Sequence, residues 1–112
     1  MTYGYARCNH KDNISDIDKQ KIKILSLGVS DDAYIFFDCI SGLCDEQPEL
    51  LKLIKLTMPG DTIVITDISR LTRSMTNLLN IFRLLKDKDL ILNIDGKQYK
   101  DFYFLPANCH LS

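Results

Sequence analysis

The stretch TIVITDISRLTRSMTNLLNIFRLLKDKDLILNI, residues 62–94, decides the fold class of this chain of 112 residues. Its first five residues, Thr62–Thr66, are all β-branched, which predicts a strand. The apolar side chains that follow keep the i, i+3, i+4, i+7 spacing of a helix: Met75, Leu78, Leu79, Phe82 and Leu85. A second apolar run, Leu90–Ile94, predicts another strand. Strand, helix and strand in this order form a βαβ unit, which joins parallel strands.

The same alternation precedes this unit. The predicted elements are a strand at Tyr3–Cys8, a helix at Ile14–Leu27, a strand at Tyr34–Phe37 and a helix at Pro48–Met58. Beyond residue 94, Asp95-Gly96 predicts a turn into a fifth strand at Lys97–Leu105. We therefore expect one α/β domain over residues 1–105, followed by a tail at residues 106–112. Its three layers are a mainly parallel sheet of four or five strands with helices on both faces.

The charge balance gives the chain no overall electrostatic attraction to polyanions. Fourteen basic and fifteen acidic residues give a net charge of −1, so no overall field draws the chain to nucleic acid or to anionic lipid.

Residues 1–13 contain no apolar core of a signal peptide, and no apolar run reaches the ~18 residues of a membrane span. We expect a cytoplasmic protein without a membrane partner, whose contacts with any polyanion are local.

The four cysteines are expected to be free thiols, because a chain without an export signal belongs to a reducing compartment. They are Cys8, Cys39, Cys44 and Cys109. Cys8 and His10, with Cys109 and His110, could supply four zinc ligands, but their spacing matches no known zinc motif. We therefore expect no metal and no cofactor.

Candidate site residues follow the strands, because ligands of parallel sheets bind outside the carboxyl ends of the strands. Arg70 and Arg73 are three residues apart, which places both on one face of a helical segment. With Arg7 they could converge on a pocket edged by Asp38, and planar guanidinium groups are suited to phosphate oxygens. The alternative is that Arg70 and Arg73 are solvated surface charges paired with Asp67 or Asp38.

Several motifs in order along the chain resemble the catalytic domain of the serine recombinases, the resolvase and invertase family. They are Tyr5-Ala6-Arg7, Asp18-x-Gln20, Ile35-Phe36-x-Asp38, Ser41-Gly42, Pro48-Glu49-Leu50, Gly60-Asp61-Thr62 and Arg70-Leu71-x-Arg73-Ser74. The resemblance runs from Tyr3 to about Ile94. It implies a resolvase-like fold and a site in which a serine attacks a DNA phosphate while arginines stabilise the phosphorus. The matched site residues are Tyr5, Arg7, Gln20, Asp38, Arg70 and Arg73.

Three positions depart from the family pattern. Asn9 stands where the family has its nucleophilic serine, Gln47 replaces a phosphate-binding arginine, and Ser69 replaces an aspartate. An amide cannot attack phosphorus as an activated hydroxyl does, so we expect no covalent link through Asn9. Cys8, His10 and Ser69 are the possible substitutes, but strand alternation turns Cys8 away from Arg7.

These departures favour an inactive homologue of the catalytic domain that is a relic or accessory of a mobile element. Family members continue into a dimerising helix and a helix-turn-helix, whereas this sequence departs from the family after Ile94. We therefore expect weak, non-specific contact with DNA backbone phosphates. One alternative is an active recombinase subunit with an unrecognised nucleophile. Another is a partner that modulates an intact recombinase, and either a homo-oligomer or a mixed oligomer is possible.

Overall fold

The computed structural model describes residues 1–9, 14–40, 47–68, 71 and 75–99. Over these residues the chain forms five strands, three α-helices and a short 3-10 helix at Asp32–Tyr34. The strands are β1 (Thr2–Asn9), β2 (Ile35–Ile40), β3 (Thr62–Ile65), β4 (Ile91–Ile94) and β5 (Lys97–Tyr99). The helices are α1 (Ile14–Ser26), α2 (Pro48–Leu56) and α3 (Met75–Asp87).

The strand order is β2-β1-β3-β4-β5, with the first four strands parallel and β5 antiparallel to β4. This confirms the expected α/β class and the mainly parallel sheet. The order reverses between β1 and β3, and pairing between these two strands covers only Thr2 to Gly4. From Gly4 to Asn9, β1 pairs with β2. The carboxyl end of β1 is therefore placed where ligands of parallel sheets bind.

Each face of the sheet has its own core. Helix α1 packs Ile17 and Ile24 against Ala6, Cys8 and Val64. On the opposite face, α2 and α3 pack against the alternate residues of the same strands: Tyr3, Tyr5, Ile63, Ile65 and Leu92. This separation follows from the period of two in a strand, which points successive side chains to opposite faces. The helices therefore cover both faces, as expected.

Both predicted ends of β2 were wrong. We expected β2 to start at Tyr34 and to end at Phe37, but Tyr34 closes the 3-10 helix and β2 continues to Ile40. Asp38 therefore lies inside a strand, directly opposite Arg7 of β1. Asp38 and Cys39 pair with Arg7 and Cys8 of β1. This backbone pairing extends β2 although aspartate is uncommon in strands.

Helix α2 ends at Leu56, two residues before the predicted end at Met58. The Thr57 N–H closes the last turn with a 3.0 Å bond to the Leu53 carbonyl. The ammonium of Lys88, which follows α3, donates to the carbonyls of Ile54 and Lys55. These carbonyls at the end of α2 thus receive a cation, which is the favourable charge at a helix C-terminus.

The turn between β4 and β5 matches the sequence prediction. Asp95 and Gly96 both have positive φ, 50° and 95°, as a two-residue type I′ hairpin requires. The predicted strand Lys97–Leu105 is confirmed for Lys97–Tyr99, and its remainder lies outside the described residues.

Gly4 lies where α1 crosses β1 too closely for a side chain. A Cβ at this position would overlap Cγ2 of Ile24 and lie 3.2 Å from Cγ1 of Ile35. We predict that Gly4→Ala lowers the free energy of unfolding by about 1–3 kcal/mol, measured by urea denaturation, because overpacking forces a shift of α1. Combining it with Ile24→Ala should cost less than the sum of the two single changes. An unchanged urea midpoint in Gly4→Ala would contradict this packing.

Candidate functional site

A cluster of buried polar side chains lies at the carboxyl ends of β1 and β2, against the beginning of α2. Arg7 of β1 and Asp38 of β2 are neighbours across the ladder, so their side chains point to the same face of the sheet. They are only 7 % and 5 % exposed, and Gln47 at the start of α2 is 6 % exposed. Buried polar groups of this kind need hydrogen-bond partners within the protein.

The Asp38 carboxylate is the centre of this cluster. It accepts the Tyr5 hydroxyl at 2.7 Å and the backbone N–H groups of Glu49 and Leu50 at 3.1 and 3.2 Å. Glu49 and Leu50 are the second and third residues of α2, and Pro48 before them has no N–H to satisfy. Asp38 therefore caps the helix from a neighbouring strand, and the positive end of α2 stabilises the buried carboxylate.

The Tyr5 phenol remains protonated in this environment. Burial raises the pKa of Tyr5 well above its usual value, and the hydrogen bond to Asp38 and the charge of that carboxylate raise the pKa further. A hydrogen bond from Gln47 and the charge of Arg7 oppose this shift without cancelling it. Tyr5 consequently serves as a hydrogen-bond donor to Asp38.

Gln47 connects the cluster to α3 and to Leu71. Its Nε2 donates to the Tyr5 hydroxyl at 3.1 Å and to the Leu71 carbonyl, and its Oε1 accepts Nδ2 of Asn77 at 2.8 Å. The sequence analysis placed Gln47 in the site but missed Asn77. The sequence offered no signal for Asn77, because position 77 does not belong to the apolar spacing of α3.

Gln20 of α1 fixes the backbone of Arg7. Its Oε1 accepts the Arg7 N–H at 3.1 Å, and its Nε2 donates to the Arg7 carbonyl at 2.9 Å. The carboxamide thus pairs with both backbone groups of one residue, as a neighbouring strand would. Because β1 has no ladder partner in β3 beyond Gly4, this contact takes the place of that partner at Arg7. Gln20 is therefore a residue that orients Arg7.

Other predicted site residues lie outside the described part of the chain. These are Ser69, Arg70, Arg73 and His10, together with the side chain of Asn9. The Asn9 backbone belongs to β1, opposite Ile40. The convergence of Arg7, Arg70 and Arg73 on one pocket therefore stays a prediction.

Cys8 is buried against α1 on the face of the sheet opposite Tyr5, as strand alternation predicts. Its thiol cannot reach the cluster around Asp38. Within residues 1–9, 14–40, 47–68, 71 and 75–99, no group of three metal-ligating side chains comes together. The helices in these ranges are also too short or too polar to cross a membrane.

A family model and individual relatives, compared with this chain, agree with one another. The family model "Resolvase, N terminal domain" matches residues 2–100. A resolvase of Clostridium perfringens is 35 % identical over 88 residues, which cover 79 % of this chain and 45 % of the relative. The serine recombinase gin of Escherichia phage Mu is 30 % identical over 90 residues, covering 80 % and 44 %. A DNA-invertase of Enterobacteria phage P7 is 30 % identical over 90 residues, covering 80 % and 46 %. The chain thus spans about half the length of these relatives.

The raised pKa of Tyr5 predicts a loss of stability in alkali. Above pH ~10 the unfolded chain releases the Tyr5 proton while the folded chain retains it, so the unfolding free energy should fall by about 1.4 kcal/mol per pH unit from this group. Urea denaturation between pH 9 and 11 measures the fall, and Tyr5→Phe is the matched control because it has no proton to release. Equal slopes for the native protein and Tyr5→Phe would show that Tyr5 ionises normally in the fold.

Proposed function

The chain belongs to the resolvase and invertase family of serine recombinases, and we propose that it is a catalytic-domain homologue that contacts DNA phosphates without cleaving DNA. Such a protein would be a relic or an accessory of a mobile element. The observation with most weight is the identity of Asn9 at the nucleophile position, on a strand that continues through it. A carboxamide nitrogen is delocalised into its carbonyl and is not a phosphoryl nucleophile.

The Tyr5 hydroxyl and the Cys8 thiol are not placed to replace the missing serine, whereas His10 and Ser69 lie outside the described residues. The Tyr5 hydroxyl is buried, protonated and donated to Asp38, and Asp38 in turn is held by the first turn of α2. The Cys8 thiol is on the other face of the sheet. These contacts support the absence of strand cleavage.

The replacement of an arginine by Gln47 supports the same conclusion. Gln47 is bonded at both ends of its amide, to Asn77 on one side and to Tyr5 and Leu71 on the other. A neutral, internally bonded side chain supplies no positive charge to a phosphorane. Loss of one preorganised donor of this kind lowers a rate by about a hundredfold or more.

What supports phosphate binding is the place of Arg7 at the carboxyl end of β1, where Gln20 bonds its backbone N–H and carbonyl. We propose that Arg7, Arg70 and Arg73 contact DNA backbone phosphates together. Because the net charge is −1 and phosphate contacts contain no sequence information, this binding would be weak and non-specific.

A second candidate function is association with an intact recombinase in a mixed oligomer, or with a second copy of this chain. The observation that favours it is a pair of exposed leucines on adjacent helices, Leu51 of α2 and Leu84 of α3. A pull-down with an intact recombinase tests this candidate, and Leu51→Glu should abolish capture because it places a charge in the contact.

DNA binding by the native protein is predicted to be weak and salt-sensitive. Fluorescence anisotropy with a random duplex should give a dissociation constant above about 1 μM at physiological salt, and the same value for any sequence. Arg7→Gln should weaken binding further, whereas Arg83→Gln, an exposed residue on α3, is the control. Nanomolar, sequence-selective binding would overturn the proposal.

No covalent DNA adduct is predicted from the native protein or from Asn9→Ser alone. A restored hydroxyl would still lack the guanidinium replaced by Gln47 and the carboxylate replaced by Ser69, and residues that act as a catalytic unit are strongly non-additive. The assay is a denaturing gel with a nicked suicide substrate, and the third sample combines Asn9→Ser, Gln47→Arg and Ser69→Asp.

An adduct from the native protein would establish an active recombinase subunit, and mass mapping would identify its nucleophile. An adduct from the triple variant alone would support the loss of a once complete site. Absence from all three samples would mean that the domain needs further parts of a recombinase for cleavage.

A further inference from the structure

The strand β2 forms one edge of the sheet and lacks the features that protect such edges. Among the strands that the structure describes, only β1 pairs with β2, so its other side faces away from the sheet. Edge strands are usually protected by shortness, by lysine or proline, or by a bulge. β2 has the sequence IFFDCI and pairs with β1 in unbroken register from Ile35 to Ile40. Its outer side therefore offers a row of backbone donors and acceptors to another strand.

The charged residue of β2 does not protect this edge. The Asp38 carboxylate is 5 % exposed and accepts bonds from Tyr5 and from the first turn of α2, so its charge points into the protein. At the opposite edge of the sheet, the described part of β5 begins with the exposed Lys97, a residue that opposes strand pairing. Of the two edges, β2 is thus the one suited to pairing.

Phe37 lies in the middle of this edge strand with 41 % of its surface exposed. The Lys21 ammonium of α1 lies 4.9 Å from the centre of the ring and 3.9 Å from the Asp32 carboxylate. This cation covers one face of the ring and restricts its movement, which lowers the cost of ordering it in a contact. The strand therefore presents a held aromatic side chain beside its outer backbone groups.

From these observations we propose that two copies of this chain associate through β2, which pairs antiparallel with β2 of the second copy. The two-fold axis runs through Phe37, so that Phe37 of one copy lies directly opposite Phe37 of the other. The two sheets then form one continuous sheet across the axis. This inference does not depend on DNA binding.

The geometry of β2 favours a second copy over an unrelated partner. A two-fold axis at Phe37 pairs residues 35–39 of both strands and creates an aromatic cross-strand pair, which is favourable. An axis at Asp38 would instead place two aspartates opposite each other, and an axis at Phe36 would pair fewer residues of β2. With the axis at Phe37, Phe36 lies opposite Asp38 of the second copy, whose carboxylate keeps its internal bonds.

The charge of the chain permits this self-association. Its net charge is −1, so two copies repel each other only weakly. One pair of six-residue strands buries less surface than a standard stable interface, so the dimer is weak and reversible. The association is therefore measured at high protein concentration.

Sedimentation equilibrium between about 10 and 500 μM protein is the first test. The mean mass of the native protein should rise with concentration toward twice the monomer mass. Phe37→Lys should lower the association constant by about tenfold or more, because it places two like charges directly opposite each other. Ile22→Lys is the matched control: Ile22 lies on α1 and is 69 % exposed, so the same charge enters the same side of the molecule away from the edge.

Cysteine cross-linking tests the position of the two-fold axis. Directly opposite residues of antiparallel strands have Cα atoms about 4.5–5.5 Å apart, which is within the range of a disulfide. Phe37→Cys should therefore form a covalent dimer under oxidised glutathione, seen on a non-reducing gel, and Ile22→Cys should not. Both variants also contain serine in place of Cys39, Cys44 and Cys109, whereas the buried Cys8 is kept.

The outcomes decide between this edge and the helical surface at Leu51 and Leu84. A native protein that stays monomeric over the whole range would overturn the inference, as would a Phe37→Cys variant that cross-links no faster than Ile22→Cys. A dimer that persists in Phe37→Lys but dissociates in Leu51→Glu would also overturn it and would assign the contact to α2 and α3. If Phe37→Lys does not fold, the cross-linking of Phe37→Cys still decides.

Discussion

The site depends on the hydrogen bonds that the buried Asp38 carboxylate accepts. An isolated charge at 5 % exposure would be strongly unfavourable, but Asp38 receives the Tyr5 hydroxyl and the first two free N–H groups of α2. One side chain thus joins β1, β2 and α2. It caps the first turn of α2, and together with burial it keeps Tyr5 neutral. The remaining polar contacts of the site follow from this arrangement.

The position of β1 explains why the site lies where it does. β1 pairs with β3 only as far as Gly4 and then pairs with β2 alone. Its last residues therefore lie where the strand order reverses. Gln20 compensates for the missing ladder partner at Arg7 by bonding both of its backbone groups. The backbone of Arg7 is therefore held in place, and in the phosphate site that we propose this would reduce the ordering cost of binding.

Membership of the resolvase and invertase family and the substitutions at Asn9 and Gln47 lead to one physical picture. Hydrogen bonds hold Tyr5, Asp38 and the backbone of Arg7 in place, while Gln47 bonds within the protein. Such a framework remains stable without catalysis, because its bonds are structural as well as functional. This is why a homologue can keep the fold and the arginine while it loses the chemistry, as we propose here.

The sequence by itself determined the alternation of strands and helices, the parallel sheet, the Asp95-Gly96 turn and the direction of Cys8. These features depend on the two-residue period of strands, the 3.6-residue period of helices and the residue preferences of tight turns. All three are encoded by residues that are close together in the sequence. Only the tertiary structure decided that Asp38, within a strand, bonds the Tyr5 hydroxyl and that Asn77 bonds Gln47. The partners in these bonds are 33 and 30 residues apart. Contacts over such separations depend on how whole elements pack, and no local pattern encodes them.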